Sequence, residues 1–316
     1  MPRLLRFIPE GGALVEVTTR TLQGRLLLTP KPQLNPIIAG ALARASRRHG
    51  VGVVAASFVS NHYHLLLRVN DAEQLAAFMA LFNSKVAREV GRLTGWEEKV
   101  WSRRYQAIVI STEEGAQVER LIYTLAHGVK EGLVARLAEW PGVHAAPALL
   151  SGEPLEGIWH DRTGEYLARM RGEEVNPDDF IQSETLTFEP LPCWEHLSPE
   201  QYRARIAALV EQIEADAAAA MERTGRKPLG AEAILRQDPT TRPEHLKKSP
   251  APRFHAFTKK IRQDLYQAYS WFVAAFREAA EKLRQGDRTA LFPVGSFPPH
   301  LPFVREAPPP GLPQPA

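Results

Sequence analysis

Cysteine is almost missing from this chain: Cys193 is the only one among 316 residues. An internal disulfide framework and a cysteine-built zinc site are thereby excluded, and a reducing cytoplasm fits. No run of about 18 or more apolar residues occurs, so no membrane span is expected. The N-terminus, Met1-Pro-Arg-Leu-Leu-Arg-Phe-Ile-Pro-Glu, has a short apolar piece but no small-residue cleavage site, and reads as mature protein. Neither charge dominates, with 39 basic residues against 36 acidic ones and a net charge of +3. The distribution is less even than the total. Lys99, Arg103 and Arg104 flank Trp101 and Tyr105, and a second basic stretch holds Arg242, Lys247, Lys248, Arg253, Lys259, Lys260 and Arg262. Acidic residues collect between them, from Glu173 to Glu195. Either basic cluster is equally well a solvated face.

What the chain does have is an apolar, β-prone run carrying two histidines, Phe58-Val-Ser-Asn-His62-Tyr-His64-Leu-Leu-Leu-Arg68-Val69. A strand sends residues i and i+2 to one face. His62 and His64 therefore point together, with Leu66 and Arg68 beside them, while Tyr63, Leu65, Leu67 and Val69 point toward a core. Paired imidazoles on a strand are the beginning of a metal site. About sixty residues on, Leu121-Ile-Tyr123-Thr-Leu-Ala-His127-Gly-Val-Lys130 reads as a helix. On a wheel, Val118, Leu121, Ile122, Leu125 and Val129 form its core stripe. Tyr123 and His127, four apart, share a face roughly opposite that stripe, with Arg120 and Lys130. A structural tyrosine or a core histidine belongs within the stripe, and these two do not. His62, His64 and His127 together would make a three-imidazole site with open positions, a Lewis acid for a phosphoryl or carbonyl oxygen. A phenol with an ordinary pKa near ~10 becomes a useful nucleophile when such a site assists it.

The surrounding order reads β-α-β-β-α-β-α. Strands fall at Leu14–Arg20, Val51–Phe58, Tyr63–Val69 and Tyr105–Ile110. A helix over Pro36–His49, capped by Asn35 and stopped by Gly50, follows the first strand. Asp71-Ala-Glu-Gln74 and Ser111-Thr-Glu-Glu114 both look like capping boxes, the first opening a helix to about Leu93 and the second the tyrosine helix. This pattern predicts an α+β fold, an antiparallel sheet with helices packed on one side, related to the ferredoxin-like plan. The expected division is a first domain over residues 1–160, an acidic linker over 172–199 with a strand near Glu184–Phe188, a helical region over 200–290 and a Pro-rich tail over 291–316. Pro199–Thr224 and Ala256–Gln285 carry the helical patterns, read as a small bundle.

The quoted residues resemble a known family. Asn61-His62-Tyr-His64-Leu-Leu-Leu resembles the HUH motif of single-tyrosine transposases. Tyr123-Thr-Leu-Ala-His-Gly-Val-Lys-Glu-Gly-Leu-Val134 resembles the tyrosine helix of the REP-associated tyrosine transposase (IS200-like) branch, which reads Tyr, three residues, Asn-Pro-Val and a Gly-Leu-Val ending. Val100-Trp101-Ser-Arg-Arg-Tyr105 and Glu139-Trp140-Pro141 resemble two further elements of that branch, so the resemblance covers residues 1 to about 145. It implies a single-strand DNA endonuclease and strand transferase in which Tyr123 forms a 5′-phosphotyrosine link. It implies a divalent ion, Mg2+ or Mn2+, on His62, His64 and His127, and single-stranded or hairpin DNA as partner. Arg103, Arg104 and Lys130 would position phosphates, joined by Arg68 on the histidine face of its strand. Trp101 and Tyr105 are base-stacking candidates but read first as core. The protein would act as a monomer or homodimer in the cytoplasm. Two positions depart from the pattern: His127-Gly128 replaces Asn-Pro, and Ser60 replaces a proline. They leave room for a catalytically inactive or domesticated DNA-hairpin binding protein. A hydrolytic three-histidine zinc enzyme lacks the paired carboxylates such sites use.

Overall fold

In the computed structural model, residues 5–244 and 252–297 are described. His245, Lys247 and Lys248 of the second basic stretch lie outside them, as does the Pro-rich tail beyond residue 297. The elements run in the order β1 (Ala13–Arg20), α1 (Leu34–His49), β2 (Gly52–Val59), β3 (His62–Val69), α2 (Ala72–Thr94), β4 (Gln106–Ile110) and α3 (Glu114–Leu125). Beyond these come α4 (Ala146–Ser151), β5 (Leu155–His160), α5 (Arg162–Met170), β6 (Ile181–Leu186), α6 (Pro199–Thr224), α7 (Ala231–Leu235), β7 (Phe254–His255) and α8 (Lys259–Arg284). The main sheet has the order β2-β3-β1-β4-β7; its first four strands pair antiparallel, and β7 joins β4 in parallel. This is the expected α+β class.

Alternation along the strands decides what each face meets. Val15, Val17, Tyr63, Leu65, Leu67 and Val69 turn toward α1 and α2 and form the larger core with Leu42, Phe78 and Phe82. The opposite face is covered as well. Leu14, Leu66 and Ile110 pack with Leu121 and Leu125 of α3 and with Ile206, Val210 and Ile213 of α6. The sheet is thus sandwiched, α1 and α2 on one side, α3, α4 and α6 on the other.

Local signals explain most element ends. Gly50 and Gly95 take left-handed conformations that stop α1 and α2. Asp71 caps α2 by accepting from the Gln74 amide at 2.7 Å. Asn35 is not the α1 cap; it lies one residue inside the helix, and its side-chain amide donates to the Pro141 carbonyl at 2.8 Å. Ser111 does not cap α3 either. Its hydroxyl donates to Glu113, the residue at the N-cap, whose carboxylate accepts from the backbone of Phe257 and Thr258 at 2.8 and 3.0 Å. A tertiary tie has replaced the local box.

The stretch expected as a linker, 172–199, is built into the fold. β6 pairs with β5 along Leu155–His160, and this ribbon lies across α1. The approach is close because Gly40 faces Gly157: a Cβ on Gly40 would meet the Ile158 carbonyl oxygen at 2.1 Å. Leu191 and Trp194 enter the second core. The two long C-terminal helices take separate places rather than the expected bundle: α6 packs on α3 and α4, whereas α8 follows β7, with Tyr269 and Phe272 against Phe7. Among the described residues no helix is long and apolar enough to cross a membrane.

Candidate active site

The histidine pair begins from register. β1 lies between β3 and β4, and Thr18 faces His64 while Arg20 faces His62. Opposed residues of an antiparallel pair share a face. Glu16, Thr18, His62 and His64 therefore continue, as a polar patch, the face on which Leu14 and Leu66 meet α3. The helix then lays its own polar side on that patch. Ring centroids of His62 and His64 are 5.3 Å apart, His62 and His127 5.5 Å, and His64 and His127 4.0 Å in a stacked pair. One ligand nitrogen from each of the three lies within 4.8 Å of the others. The Tyr123 ring stands 5.3 Å from that of His64 and 5.1 Å from that of His127, and the residue keeps 40% of its surface exposed.

Each imidazole has its Nδ1 engaged. His62 Nδ1 meets Asn61 Oδ1 at 2.7 Å, His64 Nδ1 meets Glu16 Oε1 at 2.8 Å, and His127 Nδ1 meets the Thr124 carbonyl at 3.2 Å. Asn61 and Glu16 are acceptors, so the tautomer assigned from the network for His62 and His64 is Nδ1–H; His127 Nδ1 meets both the Thr124 carbonyl and the Lys130 ammonium, and Thr18 Oγ1 lies 3.5 Å from His64 Nε2. Burial, followed by the charges of Arg20 and Lys130, pushes His62 down to about 3. Burial also holds His64 and His127 well below their ordinary value, and neighbouring imidazoles and Lys130 add to the shift. Neutral rings with nitrogens this close together are the form that ligates a cation. The donor set therefore fits a divalent metal.

Two cations attend the tyrosine. The Lys130 ammonium lies 3.6 Å from its ring centroid and the Arg120 guanidinium carbon 4.2 Å. Lys130 also sits 3.3 Å from both the Tyr123 carbonyl and His127 Nδ1. Burial pushes Lys130 down to about 8. Burial, then Glu16, pushes the Tyr123 phenol above its ordinary value, while Arg120 pulls it back. Glu16 is 1% exposed and accepts from both His64 and Arg120. Burial raises its pKa against the pull of Arg120.

The tyrosine helix is shorter than its hydrophobic stripe implies. α3 ends at Leu125, and His127 stands on the turn beyond it. Gly128 at φ +100° ends the helical path, in a region closed to proline. Its amide donates to Glu131 at 2.7 Å, and a Cβ there would meet the Trp140 ring at 3.4 Å. His127 still reaches the site because Ala126 N donates to the Ile122 carbonyl at 2.8 Å, carrying the helical path just past Leu125.

The other expected site residues divide. Lys130 is in the site. Arg103 and Arg104 are exposed on the loop entering β4, beside the His62 end of β1: Ser102 N donates to the Arg20 carbonyl at 3.0 Å. Arg68 is not brought to the histidines. It sits four residues along β3 from His64, about 13 Å at strand rise, and pairs with Glu195 and with Glu189. Trp101 is structural, its indole donating to the Asn83 carbonyl at 3.0 Å and its ring edge-on to Tyr63. Tyr105 is half-buried, with Arg6 over its ring at 4.2 Å. Glu16 and Arg120 were not singled out for the site from sequence. The available signal was a lone carboxylate in the apolar alternation Leu14-Val15-Glu16-Val17, on the same face as Thr18.

The fold and the site together set three close imidazoles and a part-exposed tyrosine on one face of an antiparallel sheet. The family model described as "Transposase IS200 like" matches residues 30–123, a span that includes His62, His64 and Tyr123 and stops before His127. Residues 30–123 are thus similar to an IS200-like transposase domain. Among solved structures, a REP-associated tyrosine transposase bound to a REP hairpin is 15% identical, with 46% of this chain and 82% of that one covered, at a TM-score of 0.36. A transposase-like protein from Deinococcus radiodurans R1 is 16% identical, covering 39% and 96%, at a TM-score of 0.28. No curated protein matches the chain.

Proposed function

We propose that this protein nicks and rejoins single-stranded DNA through a covalent bond to Tyr123. The observation that carries the reading is the convergence of three neutral imidazoles on one point, with a half-exposed phenol ring 5.1 and 5.3 Å from two of them. A divalent cation held by His62, His64 and His127 would neutralise charge on the scissile phosphate and polarise its oxygens. The residues then have distinct tasks. Tyr123 Oη attacks phosphorus and gives up its proton to solvent. The Oη–P bond forms, the P–O3′ bond breaks, and the departing 3′ oxygen takes a proton. A free 3′-OH and a 5′-phosphotyrosine remain, and attack by a 3′-OH on that ester reverses the step without ATP. Lys130 and Arg120 hold the phenol ring and place positive charge where the phenolate develops. Arg103 and Arg104 offer exposed cations to a backbone at the His62 end of the sheet.

The nitrogen-only donor set suits Mn2+ better than the oxygen-seeking Mg2+. Mn2+ is therefore the ion for the first assay. Hairpin DNA, the ligand of the structural relative, is the first substrate form. Protein, Mn2+ and a hairpin oligonucleotide with a single-stranded flank are expected to give a denaturant-resistant adduct that chelation and Tyr123→Phe both abolish. DNA binding without any adduct would instead favour a hairpin-binding protein that has lost its chemistry.

A further inference from the structure

We propose that Glu16 is a positioning residue that couples the metal ligands to the nucleophile, with Arg120 as its second arm. The inference rests on the reading of Tyr123 and the three histidines above and adds residues that lie behind them. One buried carboxylate serves two donors. Oε1 accepts from His64 Nδ1 at 2.8 Å, and Oε2 accepts from Arg120 Nη2. The first contact fixes the tautomer and plane of His64, leaving Nε2 as its ligating atom. The second pins a guanidinium that is itself mostly buried, with its carbon 4.2 Å from the Tyr123 centroid. His64 and Tyr123 come from a strand and a helix almost sixty residues apart. Through Glu16, the orientation of one sets that of the other.

The arrangement also separates two effects that a merely structural buried ion pair would not separate. Removing Arg120 frees the tyrosine ring while leaving the His64 contact in place. Removing the carboxylate frees both. A glutamine at this position has one acceptor oxygen for two donors; with metal bound, His64 must keep its Nδ1–H, so the oxygen goes to His64 and Arg120 is released.

The test uses the full-length chain, with Mn2+ affinity measured by calorimetry and adduct formation measured as kcat and KM for the hairpin oligonucleotide. Glu16→Ala is expected to weaken Mn2+ binding roughly ten- to hundredfold and to slow adduct formation. Arg120→Met is expected to leave Mn2+ affinity within about threefold while kcat falls about tenfold or more and KM holds. Glu16→Gln is expected to keep most of the metal affinity and to share the kcat loss of Arg120→Met. The double variant Glu16→Gln/Arg120→Met removes both buried charges together and keeps the experiment open if a single variant folds poorly; its kcat is expected to match the single losses rather than multiply them. The proposal is overturned if these variants lower only thermal stability, with Mn2+ affinity and kcat per folded molecule unchanged. It is also overturned if the two kcat losses multiply. Failure of the underlying reading looks different: wild-type protein gives no adduct at all. That removes the nucleophile arm, while the Mn2+ affinities of Glu16→Ala and Glu16→Gln still decide the ligand arm.

Discussion

At the scale of single residues, the site is assembled by what sits behind the ligands as much as by the ligands themselves. Asn61, Glu16 and the Thr124 carbonyl each hold one Nδ1, and so fix the three rings beside one another. His127 is the position where this chain differs from the asparagine of the family it resembles. An asparagine carbonyl oxygen is still a donor suited to Mn2+, whereas an apolar side chain offers none. His127→Asn should therefore keep Mn2+ binding, weakened by about tenfold, whereas His127→Leu should lose about a hundredfold or more. Isothermal titration of the two variants checks this, and unchanged Mn2+ affinity in both would mean that the third imidazole is not a ligand. The histidine pair and the Tyr/His pair were legible because strand and helix periods put them on polar faces. Glu16 was not, and Arg120 was placed on the tyrosine face without its partner. Their pairing comes from strand register and from the way α3 crosses the sheet, and it is not written in local spacing.

At the scale of elements, the tyrosine helix is held from every side. Glu113 takes the backbone of Phe257 and Thr258, Glu114 accepts from Trp194 Nε1 at 2.7 Å, and Gln117 accepts from the Cys193 amide at 3.0 Å. At the far end His144 Nε2 donates to the Leu125 carbonyl at 3.1 Å, while its Nδ1 accepts from the Ala146 amide at 3.0 Å. Burial pushes this imidazole down to about 4. The folded state thus refuses a proton that the unfolded chain takes up near pH ~6.5. The sign follows: its contribution is present above pH ~6.5, declines as the pH falls toward about 4, and amounts to at most ~3 kcal/mol. Urea unfolding of the wild type should show this loss between those limits, and His144→Gln should show a shallower pH slope despite a lower plateau. Parallel slopes would contradict the assignment. None of these ties was visible as a capping box; Ser111-Thr-Glu-Glu114 looks local, yet its acids reach residues 80 to 145 positions away. The end of α3 was likewise misjudged from the apolar stripe. Val129 continues the pattern, but the left-handed Gly128, packed against Trp140, stops the helix first.

At the scale of the whole molecule, the region after residue 160 is part of the same structure as the transposase-like part. α6 contributes Ile206, Val210 and Ile213 to the core that backs the tyrosine helix, and β7 extends the main sheet beyond β4. The helical pattern of Pro199–Thr224 was legible to the residue, since Ser198 and Gln201 form a true capping box and Gly225 ends it. Its destination was not, because an amphipathic stripe does not say which apolar surface it will cover. Ile206 is fully buried. Ile206→Ala should cost about 2–5 kcal/mol and shift one cooperative transition, monitored together by near-UV circular dichroism and by Mn2+ release. A separate early transition that leaves metal binding intact would show instead that α6 belongs to an independent unit.

The central claim is that Tyr123 becomes linked to DNA beside the three histidines. Mass spectrometry of the protein after reaction with Mn2+ and a hairpin substrate tests it most directly. The account predicts one peptide, containing Tyr123, that carries a 5′-phosphorylated nucleotide. Cleaved DNA with a free 5′-phosphate, alongside an unmodified Tyr123 peptide at every time point, would contradict it.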